Sequence, residues 1–329
     1  MDKEASFYKT LQEDKILCEL CPHNCRLSLG QMGICKGRKR EGDKLYTINY
    51  GEVTSMALDP IEKKPLYHFK PGSNILSVGS FGCNFKCGFC QNYTISQDKY
   101  RSEYISPQKL IELAQQIGSN IGISFTYNEP SIWYEYIRDV CDASKDKKLD
   151  LVMISNGYIS TKALKTLLPY ISAFNIDLKA FKEEFYKKIC LGDIETVLNN
   201  IKIAAEECHV EITTLLINDY NDSEEEVEEL CRWVASVSRD IPLHFSRYYP
   251  TYKFKEEATP IGRVIRAREI GKKYLNYVYI GNLPGVDNNT YCPKCGELLV
   301  KREGYFTEIL IQENQCPKCQ QHINIVIDN

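Results

Sequence analysis

The chain has 329 residues, of which 43% are hydrophobic and 26% charged, and its formal net charge is −3. These proportions are ordinary for a globular protein and exclude wholesale disorder, while the small net charge argues against nucleic-acid binding. No run of about 18 apolar residues could form a membrane span, and the charged N-terminus lacks the apolar stretch of a secretory signal. We therefore expect a cytoplasmic protein with neither a membrane nor a nucleic-acid partner.

Cysteine is the unusual component, with 15 residues in the chain. Eleven of them fall into three tight clusters, near the N-terminus, near residue 87 and near the C-terminus. Because no export signal is visible, metal binding is the expected use of clustered cysteines rather than disulfide bonds. The clusters suggest an N-terminal Cys-rich metal-binding segment (1–72), a central domain (73–285) and a C-terminal unit (286–329). A core in the N-terminal segment would have to be held by metal.

In the central domain, short β-rich runs alternate with amphipathic segments. Strands are predicted over 73–80, 121–127, 149–155, 173–179, 209–217 and 242–249, with a further strand over 277–281. Helices are predicted over 107–117, 130–147, 161–171, 224–237 and 260–275, together with a largely helical stretch over 181–207 that breaks near 191–192. Six strands alternating with helices indicate parallel βαβ units, in either an open doubly wound sheet or a barrel.

Polar residues at every second position of three strands help to choose between these folds. The alternating residues are Asn175, Asp177 and Lys179; His209, Glu211 and Thr213; and His244 and Ser246. Alternation places each set on one face of its strand. We favour a full or partial barrel with a polar lumen, and the alternative is that these faces point to solvent at a sheet edge.

A three-cysteine loop follows the first predicted strand of this domain. Cys83, Cys87 and Cys90 have the spacing C-x3-C-x2-C, with Phe89 before the last cysteine. Four cysteines would complete the ligation of a [4Fe–4S] cluster, so three leave one iron open to another ligand. A zinc knuckle with a distant fourth ligand is the alternative.

This loop resembles the signature of the radical S-adenosylmethionine (SAM) superfamily. The resemblance implies that the central domain is a partial (β/α)6 TIM-like barrel and that it holds a [4Fe–4S] cluster whose open iron binds SAM. It also implies reductive cleavage of SAM to a 5′-deoxyadenosyl radical, which abstracts hydrogen from a substrate. A flavodoxin- or ferredoxin-type protein is the electron donor that such chemistry implies.

Three further segments match the same superfamily in strand order. The run 127–130 stands in the place of a Gly-Gly-Glu-Pro type motif, 155–158 resembles the Thr-Asn-Gly-Phe segment of glycyl-radical activating enzymes, and 177–179 resembles their Asp-Leu-Lys segment. The residues that the resemblance assigns to cofactor binding are Asn128, Glu129, Ser155, Asn156, Asp177, Leu178 and Lys179. Two departures are visible: Tyr127 and Asn128 replace the two glycines, and Tyr249 replaces a histidine at the end of the sixth strand.

Over nearly its whole length the chain resembles the radical SAM protein of the AmmeMemoRadiSam system, a group similar to pyruvate formate-lyase activating enzyme. The segments that carry this resemblance are CELCPHNCRLSLGQMGIC, DPIEKKPLYHF, GCNFKCGFCQN, NIDLKAF and NTYCPKCGELL. The resemblance implies Memo-like and AMMECR-type proteins as partners.

The flanking clusters offer two further metal sites. Cys292, Cys295, Cys316 and Cys319 form two CPxC knuckles typical of a zinc ribbon, with rubredoxin-like iron as the alternative. Cys18, Cys21, Cys25 and Cys35 have a spacing unlike that of ferredoxins. We predict zinc at the N-terminal set, and a second iron–sulfur cluster remains open.

Cys190 is the candidate catalytic residue among the isolated cysteines, as a hydrogen-atom donor to a substrate radical. A buried, inert thiol is the alternative. The leading hypothesis for the whole chain is hydrogen abstraction from a small-molecule or partner-bound substrate. The alternatives are a glycyl-radical activating enzyme that acts on a partner protein and a non-catalytic interaction or electron-carrier protein.

Overall fold

An eight-stranded sheet forms the centre of the fold in the computed structural model, which describes residues 3–12, 14–97 and 101–327. The first strand, β1 (Ser55–Pro60), is antiparallel to its neighbour. The seven parallel strands that follow are β2 (Asn74–Gly79), β3 (Asn120–Phe125), β4 (Asp150–Ser155), β5 (Ala173–Asp177), β6 (His209–Leu216), β7 (Leu243–Arg247) and β8 (Val278–Gly281). The strands lie in the sheet in chain order and curve into a partial barrel. The predicted partial barrel is therefore confirmed; the antiparallel edge strand was not predicted.

Six helices connect the parallel strands. They are α1 (Pro107–Gln116), α2 (Tyr134–Ser144), α3 (Thr161–Leu167), α4 (Ile194–Glu207), α5 (Glu224–Val237) and α6 (Ile261–Gly271). Shorter helical turns occur at Ile61–Lys63, Tyr93–Ser96, Pro130–Trp133, Leu168–Tyr170, Glu183–Phe185 and Tyr186–Cys190. The predicted break near 191–192 is confirmed, because Leu191 adopts a left-handed conformation with φ of 59°. No helix in the described part of the chain is long and apolar enough to cross a membrane.

The two faces of the sheet bury different kinds of side chain. On β6, Val210 and Ile212 belong to the hydrophobic core, whereas Glu211 is fully buried in a polar network. Asn175 and His244 are buried in the same way on the neighbouring strands. The alternation therefore marks a polar lumen, and the alternative of a solvent-facing sheet edge is wrong.

The N-terminal segment forms two small antiparallel sheets. One contains Lys3–Glu4, Lys44–Thr47 and Arg38–Glu41, and the other contains Tyr8–Leu11, Lys15–Cys18 and Arg26–Leu27. A separate two-stranded pair joins Glu52–Val53 to Glu103–Tyr104. Ile16, Leu20, Leu27 and Leu45 are almost completely buried. The expectation that metal alone would hold this segment is therefore wrong, because these side chains supply an apolar core.

Glu211 organises the floor of the barrel, near the amino ends of the strands. Its carboxylate accepts hydrogen bonds from the backbone N–H of His68 at 2.6 Å. It also contacts Nε2 of His244 at 2.6 Å and Nε2 of His209 at 3.1 Å. Burial raises the pKa of Glu211, but the two histidines more than offset this and hold it well below its usual value. The floor is thus a charged, fully buried network.

The C-terminal unit packs against this floor. Its strands are Thr290–Tyr291, Leu298–Glu303 and Phe306–Ile309. The backbone of Val326 exchanges hydrogen bonds of 2.7 Å with His68 and Lys70, and Arg302 donates to the carbonyl of Tyr67 at 2.6 Å. The unit therefore lies at the end of the barrel opposite the carboxyl ends of the strands.

Replacement of Glu211 by Gln should destabilise the protein by about 3 kcal/mol at pH 7, because an amide cannot accept all the hydrogen bonds that converge on the carboxylate. Chemical unfolding of the variant would be compared with that of Glu303→Gln, which changes an exposed glutamate and should have little effect. Since the folded-state pKa of Glu211 is lowered, its contribution is present above the usual value of 4.5 and is lost as the pH falls. The stability difference between the parent and Glu211→Gln should therefore shrink in acid. Equal stability of these two proteins at pH 7 would contradict the role assigned to Glu211.

Candidate active site

A cavity of about 340 Å³ opens at the carboxyl ends of the strands. Predicted site residues from four different loops line it: Cys83, Cys87, Cys90, Asn128, Glu129, Asn156, Asp177 and Lys179. Thr213 and Ser246, from the polar face predicted for the lumen, also line it. A groove of about 730 Å³ on the outer surface, along α5 and α6, contains none of these residues. The cavity in the barrel is therefore the candidate active site.

The three-cysteine loop forms one wall of the cavity. Cys83 Sγ accepts a hydrogen bond from the backbone N–H of Phe85 at 3.3 Å, and Cys90 Sγ lies 3.2 Å from the hydroxyl oxygen of Ser96. The three sulfurs do not all lie within 4.8 Å of one another, whereas ligands around one tetrahedral zinc would lie about 3.8 Å apart. This spacing disfavours the zinc-knuckle alternative and fits a larger, multi-metal cluster.

Lys179 and Asp177 face this wall from the end of β5. The Lys179 Nζ lies 3.0 Å from Asp177 Oδ2 and 5.9 Å from the centre of the Phe89 ring. Burial lowers the pKa of Lys179, but the negative charges of Asp177 and Cys87 outweigh burial and raise the pKa well above its usual value. A permanently charged ammonium group is therefore held beside the cysteines. Leu178, between the two residues, is fully buried and does not line the cavity.

Glu129 fastens the end of β3 to the end of β4. Its buried carboxylate accepts hydrogen bonds from the backbone N–H of Ser131 at 2.9 Å, the hydroxyl of Ser155 at 2.7 Å and the backbone N–H of Asn156 at 2.8 Å. Burial raises the pKa of Glu129, and these hydrogen bonds lower it only in part. The hydrogen-bonding capacity of the Glu129 carboxylate is thus largely used by groups of the protein itself.

Two asparagines connect this arrangement to the three-cysteine loop. The side-chain amide of Asn156 donates to Asn84 Oδ1 at 2.9 Å and approaches Cys83 Sγ at 3.9 Å. Asn128 accepts from the backbone N–H of Ser80 at 2.9 Å and donates to the carbonyl of Phe81 at 3.2 Å. The predicted residues at the ends of β3 and β4 therefore hold the loop in place.

The comparisons with known proteins agree with this site. The model of the Radical SAM superfamily matches residues 77–234. The chain is 39% identical over 336 residues to the uncharacterized protein MJ0808 of Methanocaldococcus jannaschii, covering 99% of this chain and 100% of that protein. The chain belongs to the radical SAM superfamily. It is therefore a radical SAM enzyme that uses SAM, and a [4Fe–4S] cluster is implied by the family.

Two further comparisons involve proteins that are less similar to this radical SAM enzyme. MJ1632 of the same organism, provisionally named a glycyl-radical enzyme activating enzyme, is 26% identical over 212 residues, covering 63% of this chain and 80% of that protein. The crystal structure of a radical SAM methyltransferase from Sphaerobacter thermophilus superposes with a TM-score of 0.53 at 16% identity, covering 70% of this chain and 71% of that one. The first indicates a relationship to activating enzymes, and the second shows the radical SAM fold alone.

Cys190 does not line the radical SAM cavity. Its buried thiol contacts the thiol of Cys87. Its carbonyl oxygen accepts a hydrogen bond from the backbone N–H of Lys86 at 2.9 Å. The residue therefore lies behind the three-cysteine loop. Its role as a hydrogen-atom donor stays a prediction that no contact with the cavity supports.

A polar cluster that was not predicted from the sequence lies at the mouth of the radical SAM cavity. Asp59 accepts hydrogen bonds of 2.7 Å from Lys63, from Lys64 and from the hydroxyl of Tyr127. Lys63 and Tyr127 line the cavity. Asp59 and the two lysines precede β2, outside the alternating pattern of the central domain. The only signal was their place in the segment DPIEKKPLYHF that resembles the AmmeMemoRadiSam group.

The four C-terminal cysteines form a second kind of site. Cys292 Sγ lies 3.5 Å from Cys319 Sγ, and Cys295 Sγ lies 3.6 Å from Cys316 Sγ. Within the described part of the chain, they are the one group of at least three potential ligands with all ligand atoms within 4.8 Å. This close spacing fits a single metal ion, so the predicted C-terminal metal site is confirmed without its metal being identified.

Replacement of Cys316 by Ala should release one tightly bound metal ion per chain, because three thiolates hold a tetrahedral ion less firmly than four. The melting temperature should fall as well, since metal binding and folding of such a small unit are coupled. Elemental analysis and thermal unfolding would measure both effects, with Cys208→Ala as the control because Cys208 belongs to no cluster. Full retention of metal by Cys316→Ala would contradict the assignment.

Proposed function

We propose that this radical SAM enzyme abstracts a hydrogen atom from a small molecule or a partner-bound intermediate. The observation that carries the proposal is that the three thiols and the Asp177–Lys179 pair line one cavity at the carboxyl ends of the strands. A fixed cation beside the cluster ligands suits the carboxylate of SAM, because charge-assisted hydrogen bonds are about twice as strong as neutral ones.

In this proposal Cys83, Cys87 and Cys90 hold the [4Fe–4S] cluster. Lys179 binds the SAM carboxylate, and Asp177 is suited to its amino group. When bound, the cluster and SAM supply the one-electron chemistry and the radical. The chain itself binds, orients and shields these groups.

The sequence predicts that Glu129 binds the cofactor, but in this proposal Glu129 has an indirect role. Because its carboxylate already accepts three protein hydrogen bonds, we assign it to positioning Asn156 and the three-cysteine loop. Ser155 and Leu178 act in the same indirect way, since neither lines the cavity. Asn128 and Asn156 do line it and are available to a ligand.

The walls of the cavity also support a protected reaction. Phe89, Ile154 and Leu215 supply apolar surface around the polar groups. Such surface excludes water, which protects a reactive intermediate from side reactions. We assign substrate contact to Lys63 and Tyr127, which stand on the wall. Lys63 belongs to none of the segments that match the cofactor-binding motifs, and Tyr127 departs from its motif by replacing a glycine.

Formation of a glycyl radical in a partner protein is the second candidate, and the similarity to MJ1632 favours it. This reaction requires a backbone loop of the partner to enter the cavity. Deuterium transfer from labelled metabolites into 5′-deoxyadenosine would support the small-molecule candidate. A stable glycyl-radical signal in an electron paramagnetic resonance (EPR) spectrum of a partner would favour the second.

The proposed setting follows the AmmeMemoRadiSam resemblance. It includes Memo-like and AMMECR-type partners, a flavodoxin- or ferredoxin-type electron donor, and zinc at the C-terminal cysteines. The division into 1–72, 73–285 and 286–329 remains part of this proposal. All 15 cysteines are free of disulfide bonds, which fits a reducing compartment such as the cytoplasm.

Replacement of Cys87 by Ala should abolish the formation of 5′-deoxyadenosine from SAM, because two thiolates cannot retain the cluster. Reconstituted protein would be reduced in the presence of SAM and the product measured by chromatography, with Cys208→Ala as the matched control. The C-terminal metal should remain bound in both variants. Undiminished SAM cleavage by Cys87→Ala would overturn the proposed cluster site.

Replacement of Lys179 by Ala should weaken SAM binding about tenfold or more, since a charge-assisted contact contributes about 1.5–3 kcal/mol and about 1.4 kcal/mol corresponds to tenfold. Titration with SAM would measure the affinity, and the absorbance of the cluster should be unchanged. Lys187→Ala is the control, because the Lys187 side chain is 67% exposed and pairs with Glu183 away from the cavity. An unaltered affinity in Lys179→Ala would show that Lys179 does not contact SAM.

A further inference from the structure

The four N-terminal cysteines lie together, directly against the three-cysteine loop. A Cβ atom placed on Gly33 would lie 3.6 Å from Cys35 Sγ and 3.8 Å from Cys25 Sγ, so these two sulfurs face the same space. Cys18 donates its backbone N–H to the carbonyl of Cys25 at 2.9 Å. Cys18, Cys21 and Cys35 are buried, and Cys25 is partly exposed. The sequence cluster is therefore also a cluster in space.

Two of these four sulfurs have hydrogen-bond donors of their own. Arg38 Nη1 lies 3.6 Å from Cys18 Sγ, and the backbone N–H of Gly37 lies 3.5 Å from Cys35 Sγ. Donors to sulfur stabilise thiolate ligands and tune the potential of iron–sulfur clusters. The donors at Cys18 and Cys35 therefore suit thiolates that bind a metal centre.

The spacing of the sulfurs distinguishes the kind of centre. No three of the four N-terminal sulfurs lie within 4.8 Å of one another, although all four residues belong to the described part of the chain. The C-terminal cysteines, by contrast, approach to 3.5 and 3.6 Å in pairs. Sulfurs around one zinc ion would lie about 3.8 Å apart. In this respect the N-terminal set resembles the three-cysteine loop, whose sulfurs also do not all lie within 4.8 Å of one another. A cubane holds its thiolates farther apart than one zinc ion does, because each thiolate binds a different iron.

His23 lies between two of these cysteines in the sequence, but its side chain contacts the three-cysteine loop. Its Nε2 lies 2.7 Å from the carbonyl oxygen of Asn84 in the three-cysteine loop. His23 therefore ties the N-terminal segment to the loop and leaves ligation to the four thiolates.

The two cysteine sets are joined through the backbone. The N–H of Cys83 donates to the carbonyl of Cys35 at 3.2 Å. Gly82 makes this approach possible, because its φ is 86° and a Cβ atom there would lie 2.4 Å from the carbonyl oxygen of Cys35. A ligand of one set is thus hydrogen-bonded directly to a ligand of the other.

From these observations we propose that Cys18, Cys21, Cys25 and Cys35 hold a second [4Fe–4S] cluster that relays electrons to the cluster at Cys83, Cys87 and Cys90. One electron passes from a reduced flavodoxin- or ferredoxin-type donor to the N-terminal cluster and then to the central one. No bond forms or breaks in this relay: the donor is oxidised by one electron and the central cluster reduced by one. The assignment of a second iron–sulfur cluster replaces the zinc predicted from the sequence, and it does not depend on the proposed function. The electron relay, by contrast, rests on the proposed function.

Metal analysis of reciprocal variants tests the assignment. The full chain, reconstituted anaerobically, should contain about eight irons and one zinc. The variant with Cys83, Cys87 and Cys90 all replaced by Ala should keep about four irons and show the absorbance and EPR signals of a single cluster. Cys18→Ala/Cys25→Ala should also keep about four irons, held at the central loop. Loss of zinc but not of iron from Cys18→Ala/Cys25→Ala, or absence of iron from the triple variant, would overturn the second cluster.

The relay is tested with the same double variant and two reductants. With reduced flavodoxin, Cys18→Ala/Cys25→Ala should lose most of the 5′-deoxyadenosine formation of the parent protein. With dithionite, a small reductant that can reach the central cluster directly, the two proteins should form it at similar rates, which also shows that the variant is folded. Equal rates with flavodoxin would refute the relay while leaving the metal assignment intact. Failure of the parent to cleave SAM with either reductant would instead contradict the proposed function.

Discussion

The buried carboxylate of Glu129 is the constraint on which the candidate site depends. Parallel strands bring their carboxyl ends to one edge, but that edge consists of separate loops. Glu129 joins two of them by accepting hydrogen bonds from Ser155 and Asn156 while it caps its own turn at Ser131. Because Asn156 in turn contacts Cys83, one carboxylate fixes the strand ends and the cysteine loop together.

The opposite end of the barrel uses the same kind of interaction for a different purpose. Glu211 collects donors from His68, His209 and His244, and the chain that contains His68 is bonded to the C-terminal unit. Charge buried at this end closes the lumen and anchors a metal-binding unit. Charge at the other end, at Lys179, remains in contact with the cavity. The C-terminal metal site is thus placed to support structure, away from the proposed chemistry.

Much of this arrangement could be predicted from the sequence, because it depends on local patterns. The alternation of polar residues on β5 to β7 identified the lumen, and the spacing at Cys83 to Cys90 identified the cavity wall. Contacts between distant segments could not be predicted in the same way. Nothing near Asp59 in the sequence indicates that Tyr127 will donate to it, and nothing near Cys190 indicates that its thiol will lie behind Cys87. Such pairs are set by packing, which no periodicity records.

The three cysteine sets show where sequence spacing stops being informative about a metal. Two CPxC knuckles place four sulfurs around one point, because each knuckle is a tight turn and the strands between them bring the turns together. The sets at Cys18 and Cys83 also contain cysteines that are close in sequence. In neither set, however, do three sulfurs lie within 4.8 Å of one another. Beside the N-terminal set, Arg38 is buried against Cys18 and Glu135. A guanidinium group that neutralises both thiolate and carboxylate charge suits a centre that accepts electrons, since each added electron increases the negative charge it must balance.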